Sequence, residues 1–155
     1  MKKRYIRMSI VILLLIIIDQ LTKQLAINNK ISMLANVEME YVKNYGGAFG
    51  IGGNSTLFFI LVNIVVLGII IKFIYSQKDR VDKKTLASFT MILAGGIGNL
   101  IDRVFRGCVV DFIDISNLFK FPVFNIADIY IVIGWIMLFI SITIYWYKEV
   151  RVINK

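Results

Sequence analysis

The sequence predicts an all-α membrane protein, a four-transmembrane-helix bundle with a small extracytoplasmic β-strand element. Hydrophobic residues make up 58% of the 155 residues, charged residues only 18%, and the mean hydropathy is +0.76. A soluble domain would carry about a quarter charged residues. The apolar residues are gathered in four runs, each near the ~20 residues that cross a bilayer. We therefore expect residues 1–155 to form a single integral membrane domain.

The four spans are predicted at about residues 8–26, 57–74, 86–101 and 127–147. The first span follows a basic start, as a secretory signal would, but its apolar run continues to Ile18 without a small-residue cleavage site after it. We expect it to be a retained anchor. The third span carries Gly95, Gly96 and Gly98, and small residues let helices approach closely in lipid.

The positive charge predicts the orientation of the chain in the membrane. The net charge is +8, and most of the 18 lysines and arginines lie near the two termini or between the second and third spans. Basic residues concentrate on the cytoplasmic side of membrane proteins. We therefore expect a multi-pass protein of the bacterial cytoplasmic membrane with both termini cytoplasmic. The basicity is explained by topology, so no nucleic-acid partner is expected.

The segment between the first two spans should lie outside the membrane. Residues 37–41 alternate between apolar and acidic side chains, which predicts a short strand with one buried face. Residues 44–54 hold five glycines, which fits either backbone close to a ligand or an ordinary turn. Asn54, Ser55 and Thr56 offer oxygens to cap the start of the second span.

Polar residues collect where the first and third spans end. Asp19 and Lys23 are four residues apart on one helical face, so they form either a local ion pair at the membrane edge or part of a polar site. Asn99 and Arg103 are likewise four residues apart on one helical face. Asp102 and Arg103 could anchor the helix end in the headgroups, whereas Asn99 is expected to point into the bundle.

Two further aspartates stand at the same face of the membrane. Asp111 lies in the strand-like run 109–113, which predicts its partial burial. Asn125 is placed to cap the fourth span, with Asp128 three residues later in the first turn. Asp128 alone could simply favour the helix dipole, and Asp111 alone could pair with Arg103 or Arg106. Together they are candidates for an acid/base pair.

The residue types restrict the chemistry of such a site. Histidine is absent and Cys108 is the single cysteine, so histidine-dependent nucleophilic catalysis and an internal disulfide are excluded. No metal-ligand spacing is recognisable, and no cofactor is expected. Two adjacent carboxylates tend to share one proton, so one can activate water while the other protonates a carbonyl oxygen. That chemistry would hydrolyse a peptide bond without a covalent intermediate.

Five blocks of sequence resemble a known family, the bacterial lipoprotein signal peptidases, or type II signal peptidases. The blocks are residues 19–23 (DQLTK), 44–49 (NYGGAF), 98–103 (GNLIDR), 109–112 (VVDF) and 124–128 (FNIAD). They occur in the family's order, and the resemblance covers essentially the entire chain. The resemblance implies a four-span aspartic peptidase of the cytoplasmic membrane.

The resemblance also implies roles for individual residues. Asp111 and Asp128 match the family's catalytic dyad. The positions that match residues lining or supporting the site are Asp19, Lys23, Asn44, Gly46, Asn99, Arg103 and Asn125. The family cuts prolipoproteins on the N-terminal side of a diacylglyceryl-modified cysteine at the outer membrane face. It implies lipidated prolipoproteins and membrane lipids as partners and inhibition by cyclic peptides such as globomycin. One small bundle is expected to act as a monomer.

Two other functions fit parts of the pattern. A proton-coupled transporter or channel subunit could use intramembrane carboxylates as a relay, but such groups usually lie near the middle of spans, whereas Asp19, Asp102 and Asp128 lie toward the outer ends. A structural assembly factor would tolerate replacement of Asp111 and Asp128. Substitution of these two aspartates separates both alternatives from the peptidase.

Overall fold

The computed structural model describes residues 2–28, 42–47, 55–78, 80–118 and 120–153. Within them lie six elements in chain order: α1 (Lys2–Ile27), β1 (Val42–Asn44), α2 (Thr56–Ser76), α3 (Lys83–Arg106), β2 (Val109–Asp111) and α4 (Ile126–Ile153). All four helices are long and apolar enough to cross a membrane. The predicted class, a four-helix membrane bundle with a small β element, is confirmed.

Each helix extends beyond the apolar run from which it was predicted. The difference is largest where α1 begins at Lys2, where α3 continues to Arg106, and where α4 continues to Ile153. Charged residues at these ends stop the apolar run but are good helix formers, so hydrogen bonding continues through them. The start of α1 is tied to the α2–α3 connection, because Arg4 donates to the carbonyls of Val81 and Asp82.

Helix α3 is the centre of the bundle. It is buried along most of its length and packs against α1, α2 and α4, whose large apolar side chains are mostly exposed toward lipid. Small residues make the close approach possible. A Cβ on Gly96 would lie 2.9 Å from Leu67 Cδ2 of α2, and a Cβ on Gly134 of α4 would lie 2.9 Å from the Ser88 carbonyl oxygen. The small residues of the third span therefore pack as predicted.

A two-stranded antiparallel sheet lies at the bundle end where α3 ends and α4 begins. Strand β1 pairs with β2 in the register Val42 with Asp111 and Asn44 with Val109. The strand predicted at residues 37–41 lies outside the described residues, as do positions 48–54 of the glycine-rich segment. The sheet places the end of β2, and therefore Asp111, over the junction of α3 and α4.

The predicted capping of α2 is wrong in detail. Ser55 occupies the N-cap position, but its side chain makes no capping hydrogen bond. The Thr56 hydroxyl instead donates to the carbonyls of Tyr45 and Gly107, at 3.2 and 2.9 Å. Gly107 has a positive φ of 75° and ends α3. Thr56 therefore joins the β1 end to the α3 end.

Candidate active site

Asp111 is buried at the end of β2, with only 2% of its surface exposed. One carboxylate oxygen accepts a hydrogen bond from Asn44 Nδ2 at 2.9 Å and the other from Asn125 Nδ2 at 2.7 Å. Burial, followed by the nearby charge of Asp128, raises the pKa of Asp111 to about 6. This carboxyl can therefore hold or release a proton near neutral pH.

The expected alternative for Asp111, a salt bridge to Arg103 or Arg106, is wrong. Among the described residues, neither arginine lies within salt-bridge distance of it. Arg106 pairs with Asp102 one turn earlier on α3, and Arg103 donates to the Gly46 carbonyl at 2.9 Å. The Asp111 carboxylate is therefore bound by hydrogen bonds from two asparagine amides and not by a cation.

Asp128 lies in the first turn of α4 and is half-buried. One of its oxygens accepts from Asn99 Nδ2 at 2.8 Å, and the other accepts from the backbone N–H of Asn125 at 3.2 Å. In return, Asn125 Oδ1 accepts from the Asp128 N–H at 2.9 Å. This reciprocal capping box confirms the predicted N-cap and fixes Asp128 at the helix start.

Two asparagines connect the aspartates. Asn125 is fully buried, donates its amide to Asp111 and Asn99, and caps the helix that carries Asp128. Asn99 points into the bundle as predicted, with 6% of its surface exposed. The single residue Asn125 thus contacts both members of the pair.

Arg103, Asn44 and Gly46 form the side of the site next to β1. The Arg103 guanidinium lies over the Phe59 ring, 5.4 Å from its centroid. Gly46 N–H donates to Asn44 Oδ1 at 3.0 Å, which orients the Asn44 amide toward Asp111. Among the described residues, Arg103 Nε is a buried donor without a hydrogen-bond partner.

A buried cluster of charges lies behind the aspartate pair. Lys23 Nζ is 3.0 Å from Asp19 and 2.9 Å from Asp102, and all three side chains are fully buried. Lys23 also donates to Asn99 Oδ1 at 2.9 Å, and Asp19 accepts from the backbone N–H of Ala127 at 3.0 Å. Both expectations for Asp19 and Lys23 hold in part, because they form an ion pair that also contacts the site.

Sequence reasoning missed three members of this cluster. Asp102 was expected to cluster with Asn99 on one helical turn, with a headgroup anchor as the alternative, but it is fully buried, and neither Gln20 nor Arg106 was predicted to lie in the site. The Gln20 amide donates to Asp102 and accepts from Arg106, which also pairs with Asp102. The signal available was helical spacing, since Asp102 is three residues after Asn99 and four before Arg106.

The aspartate pair borders a cavity of about 880 Å³. Asn44, Gly46, Asn99 and Arg103 also line it, whereas Asp19, Lys23 and Asn125 do not. The remaining wall is mostly apolar and comes from residues 42–47, Val109, Ile115, residues 121–124 and α4. Within the described ranges, no three His, Cys, Asp or Glu side chains are arranged to hold a metal ion.

The fold and the site define a multi-pass membrane protein with a carboxylate pair at one end of its bundle, beside a large cavity. The family model described as signal peptidase (SPase) II matches residues 11–144. The chain belongs to this family and is therefore a peptidase.

Curated relatives and solved structures agree with this membership. A lipoprotein signal peptidase of Caldanaerobacter subterraneus is 46% identical over 142 residues, covering 84% of this chain and 92% of that protein. One from Streptococcus agalactiae is 36% identical over 152 residues, covering 94% of this chain and 96% of that protein. A solved bacterial membrane enzyme structure superposes with a TM-score of 0.79 at 28% identity, covering 88% of this chain and 87% of the other.

Proposed function

We propose that this chain is an aspartic endopeptidase that removes the signal peptide from diacylglyceryl-modified prolipoproteins. The cut falls on the N-terminal side of the lipidated cysteine, and residues 1–155 act as one peptidase domain and as a monomer. The observation that carries the proposal is the joint placement of Asp111 and Asp128 at one cavity, both held by Asn125. The relatives named lipoprotein signal peptidase support the substrate class.

The pair hydrolyses the peptide bond with water as the nucleophile. With one proton shared between Asp111 and Asp128, the ionised carboxylate takes a proton from water while the oxygen attacks the scissile carbonyl carbon. The protonated carboxyl gives its proton to the carbonyl oxygen. The tetrahedral intermediate then collapses: one of its hydroxyl groups returns a proton to the ionised carboxylate, the C–N bond breaks, and the proton first taken from water goes to the leaving amine.

The remaining side chains hold the substrate and the pair in place. Asn44, Asn99 and Asn125 orient the carboxylates through their amides, while Arg103 Nε is free within the described residues to donate to a substrate carbonyl. Asp19 and Lys23 support Asn99 from behind, and Gly46 orients both Asn44 and Arg103. These contacts support the roles that the sequence motifs imply.

The cavity suits a substrate that remains partly in the bilayer. Its apolar wall includes Ile129, Val132 and Ile133 of α4, and the last two are also exposed on the lipid-facing surface of the helix. Acyl chains on the modified cysteine can therefore lie along α4 while the scissile bond reaches Asp128 at the start of the same helix. A cyclic lipopeptide inhibitor such as globomycin would compete for this wall.

In the proposed orientation, both termini lie in the cytoplasm and the site lies at the outer face of the bacterial cytoplasmic membrane. Engineered cysteines test this in a Cys108→Ser background. Ser116→Cys lies in the connection between β2 and α4, and Ser76→Cys lies at the opposite bundle end. A membrane-impermeant maleimide should label only position 116 in intact protoplasts. Labelling of position 76 alone would reverse the orientation.

Cleavage of a diacylglyceryl-modified prolipoprotein by purified protein tests the chemistry. Wild type should cut the lipidated precursor and leave the unlipidated one intact, and both Asp111→Asn and Asp128→Asn should lose at least ~10³-fold in kcat. Asp114→Asn is the matched control, because Asp114 follows β2 but does not line the cavity. Wild-type rates in either dyad variant would refute the aspartic mechanism.

A further inference from the structure

Asp102 is a fully buried carboxylate for which the proposed chemistry has no direct use. It does not line the cavity. Its Oδ2 accepts from Lys23 Nζ at 2.9 Å and from the backbone N–H of Val110 at 3.1 Å. Its Oδ1 accepts from Gln20 Nε2 at 3.1 Å and from Arg106 Nη1. Four donors from three parts of the chain therefore converge on one side chain.

One of these contacts leads to Asp111. Val110 immediately precedes Asp111 in β2, so the Asp102 hydrogen bond fixes the peptide group next to it. The β1 partner of Val110 is Lys43. Asp102 thus provides a hydrogen bond between α3 and the strand that carries Asp111.

A second contact leads to Asp128 through Lys23 and Asn99. An ammonium group has only donors, so the Asn99 oxygen must face Lys23 and its NH₂ must face away. The NH₂ then donates to Asp128 Oδ1 at 2.8 Å. Lys23 keeps this position because Asp102 and Asp19 hold its other donors. Asp102 therefore influences the orientation of Asp128 as well.

The charges of the cluster balance only with Asp102 present. Asp19 and Asp102 supply two negative charges, and Lys23 and Arg106 supply two positive ones. Without the Asp102 charge, the cluster would carry a net charge of +1, Lys23 would keep only Asp19 as a charged partner, and Arg106 would lose its carboxylate partner.

We propose that Asp102 is a positioning residue that sets Asp111 and Asp128 relative to each other, through the Val110 N–H on one side and through Lys23 and Asn99 on the other. The inference rests on the proposed function and adds a residue to it. Asp102 acts on the turnover of bound substrate and not on substrate binding, because it lies behind the pair and away from the cavity.

The first test is Asp102→Asn, which keeps the shape of the side chain and removes its charge. We expect kcat to fall about 10- to 100-fold, since small misplacements of catalytic groups have effects of this size. The dissociation constant of a non-cleavable lipidated peptide analogue should change by less than about threefold. Asp82→Asn, at the exposed N-cap of the same helix, is the matched control and should leave both quantities unchanged.

A second variant guards against loss of folding. Asp102→Glu retains the charge for Lys23 and Arg106 but moves the carboxylate by about 1.5 Å, so it should fold and still lose kcat selectively. A wild-type kcat in either variant would overturn the proposal, as would equal losses of kcat and analogue binding, or the failure of both variants to fold. If instead Asp111→Asn cleaves normally, the proposed function itself fails, which is a different result.

Discussion

The tight contact between α3 and the start of α4 yields a quantitative prediction at Gly95. A Cβ at this position would overlap the carbonyl oxygen of Ala127 and lie 2.7 Å from Ile131 Cγ1. Ala127 immediately precedes Asp128 and its carbonyl belongs to the first turn of α4, so no flexible side chain can yield at this point. Relief to van der Waals contact requires a shift of about 1 Å in the start of α4.

Gly95→Ala should therefore damage catalysis and stability together. A displacement of about 1 Å in a catalytic group can cost on the order of 100-fold in rate, which corresponds to about 3 kcal/mol of activation free energy. Overpacking of this kind costs about 1–3 kcal/mol of stability, or roughly 5 °C in Tm for a chain of this size. The measurements are kcat on lipidated precursor and Tm in detergent.

Gly68→Ala is the matched control for this substitution. Gly68 lies on exposed α2, and a Cβ there would meet nothing within 4 Å. Alanine is the better helix former by about 1 kcal/mol, so kcat should stay at the wild-type value and Tm should be equal or slightly higher. A Gly95→Ala protein with wild-type kcat would refute the link between helix contact and Asp128 placement.

Three further predictions concern charge. Lys23→Met leaves the buried Asp19 and Asp102 without their shared cation and should cost about 3–5 kcal/mol of stability. The control Lys84→Met, at the exposed start of α3, should leave Tm unchanged. Equal Tm values in the two variants would contradict this prediction. The pKa of Asp111 is raised to about 6, so its contribution to stability is present below about pH 4 and is lost as pH rises through 6. Asp111→Asn should therefore gain Tm relative to wild type between pH 4 and 7, and a constant difference would count against a buried titrating carboxyl. The proposed mechanism needs one proton on the pair, so kcat/KM should decline at low pH, where both carboxyls are protonated, and at high pH, where neither is. A flat profile from pH 5 to 9 would exclude a shared proton.

Most of the fold could be predicted from the sequence because the bilayer imposes a length and a composition on each helix. The capping of α4 was also predictable, since Asn125 and Asp128 have the spacing of a capping box. The rotation of each helix about its own axis could not be predicted from the sequence. The apolar runs of α2 and α4 are hydrophobic all round and do not show which side of each helix meets α3.

The burial of the charged residues at the helix ends could not be predicted from the sequence either. Asp102 and Arg103 have the composition of a headgroup anchor, and only the packing of α1 against α3 reveals that Asp102 is buried with Lys23. The choice between an arginine partner and amide partners for Asp111 depended on a β1–β2 register that sequence does not specify. Spacing identified which residues could meet, and tertiary packing decided which of them do.

The use of asparagine amides to hold Asp111 and Asp128 has a consequence for how the protein responds to its surroundings. Amides neither gain nor lose protons in water, and the chain contains no histidine. Between about pH 5 and 8 the side chains that hold the pair therefore keep one pattern of donors and acceptors. A fall in pH around the site would therefore change the protonation of the two carboxylates without rearranging the side chains that hold them.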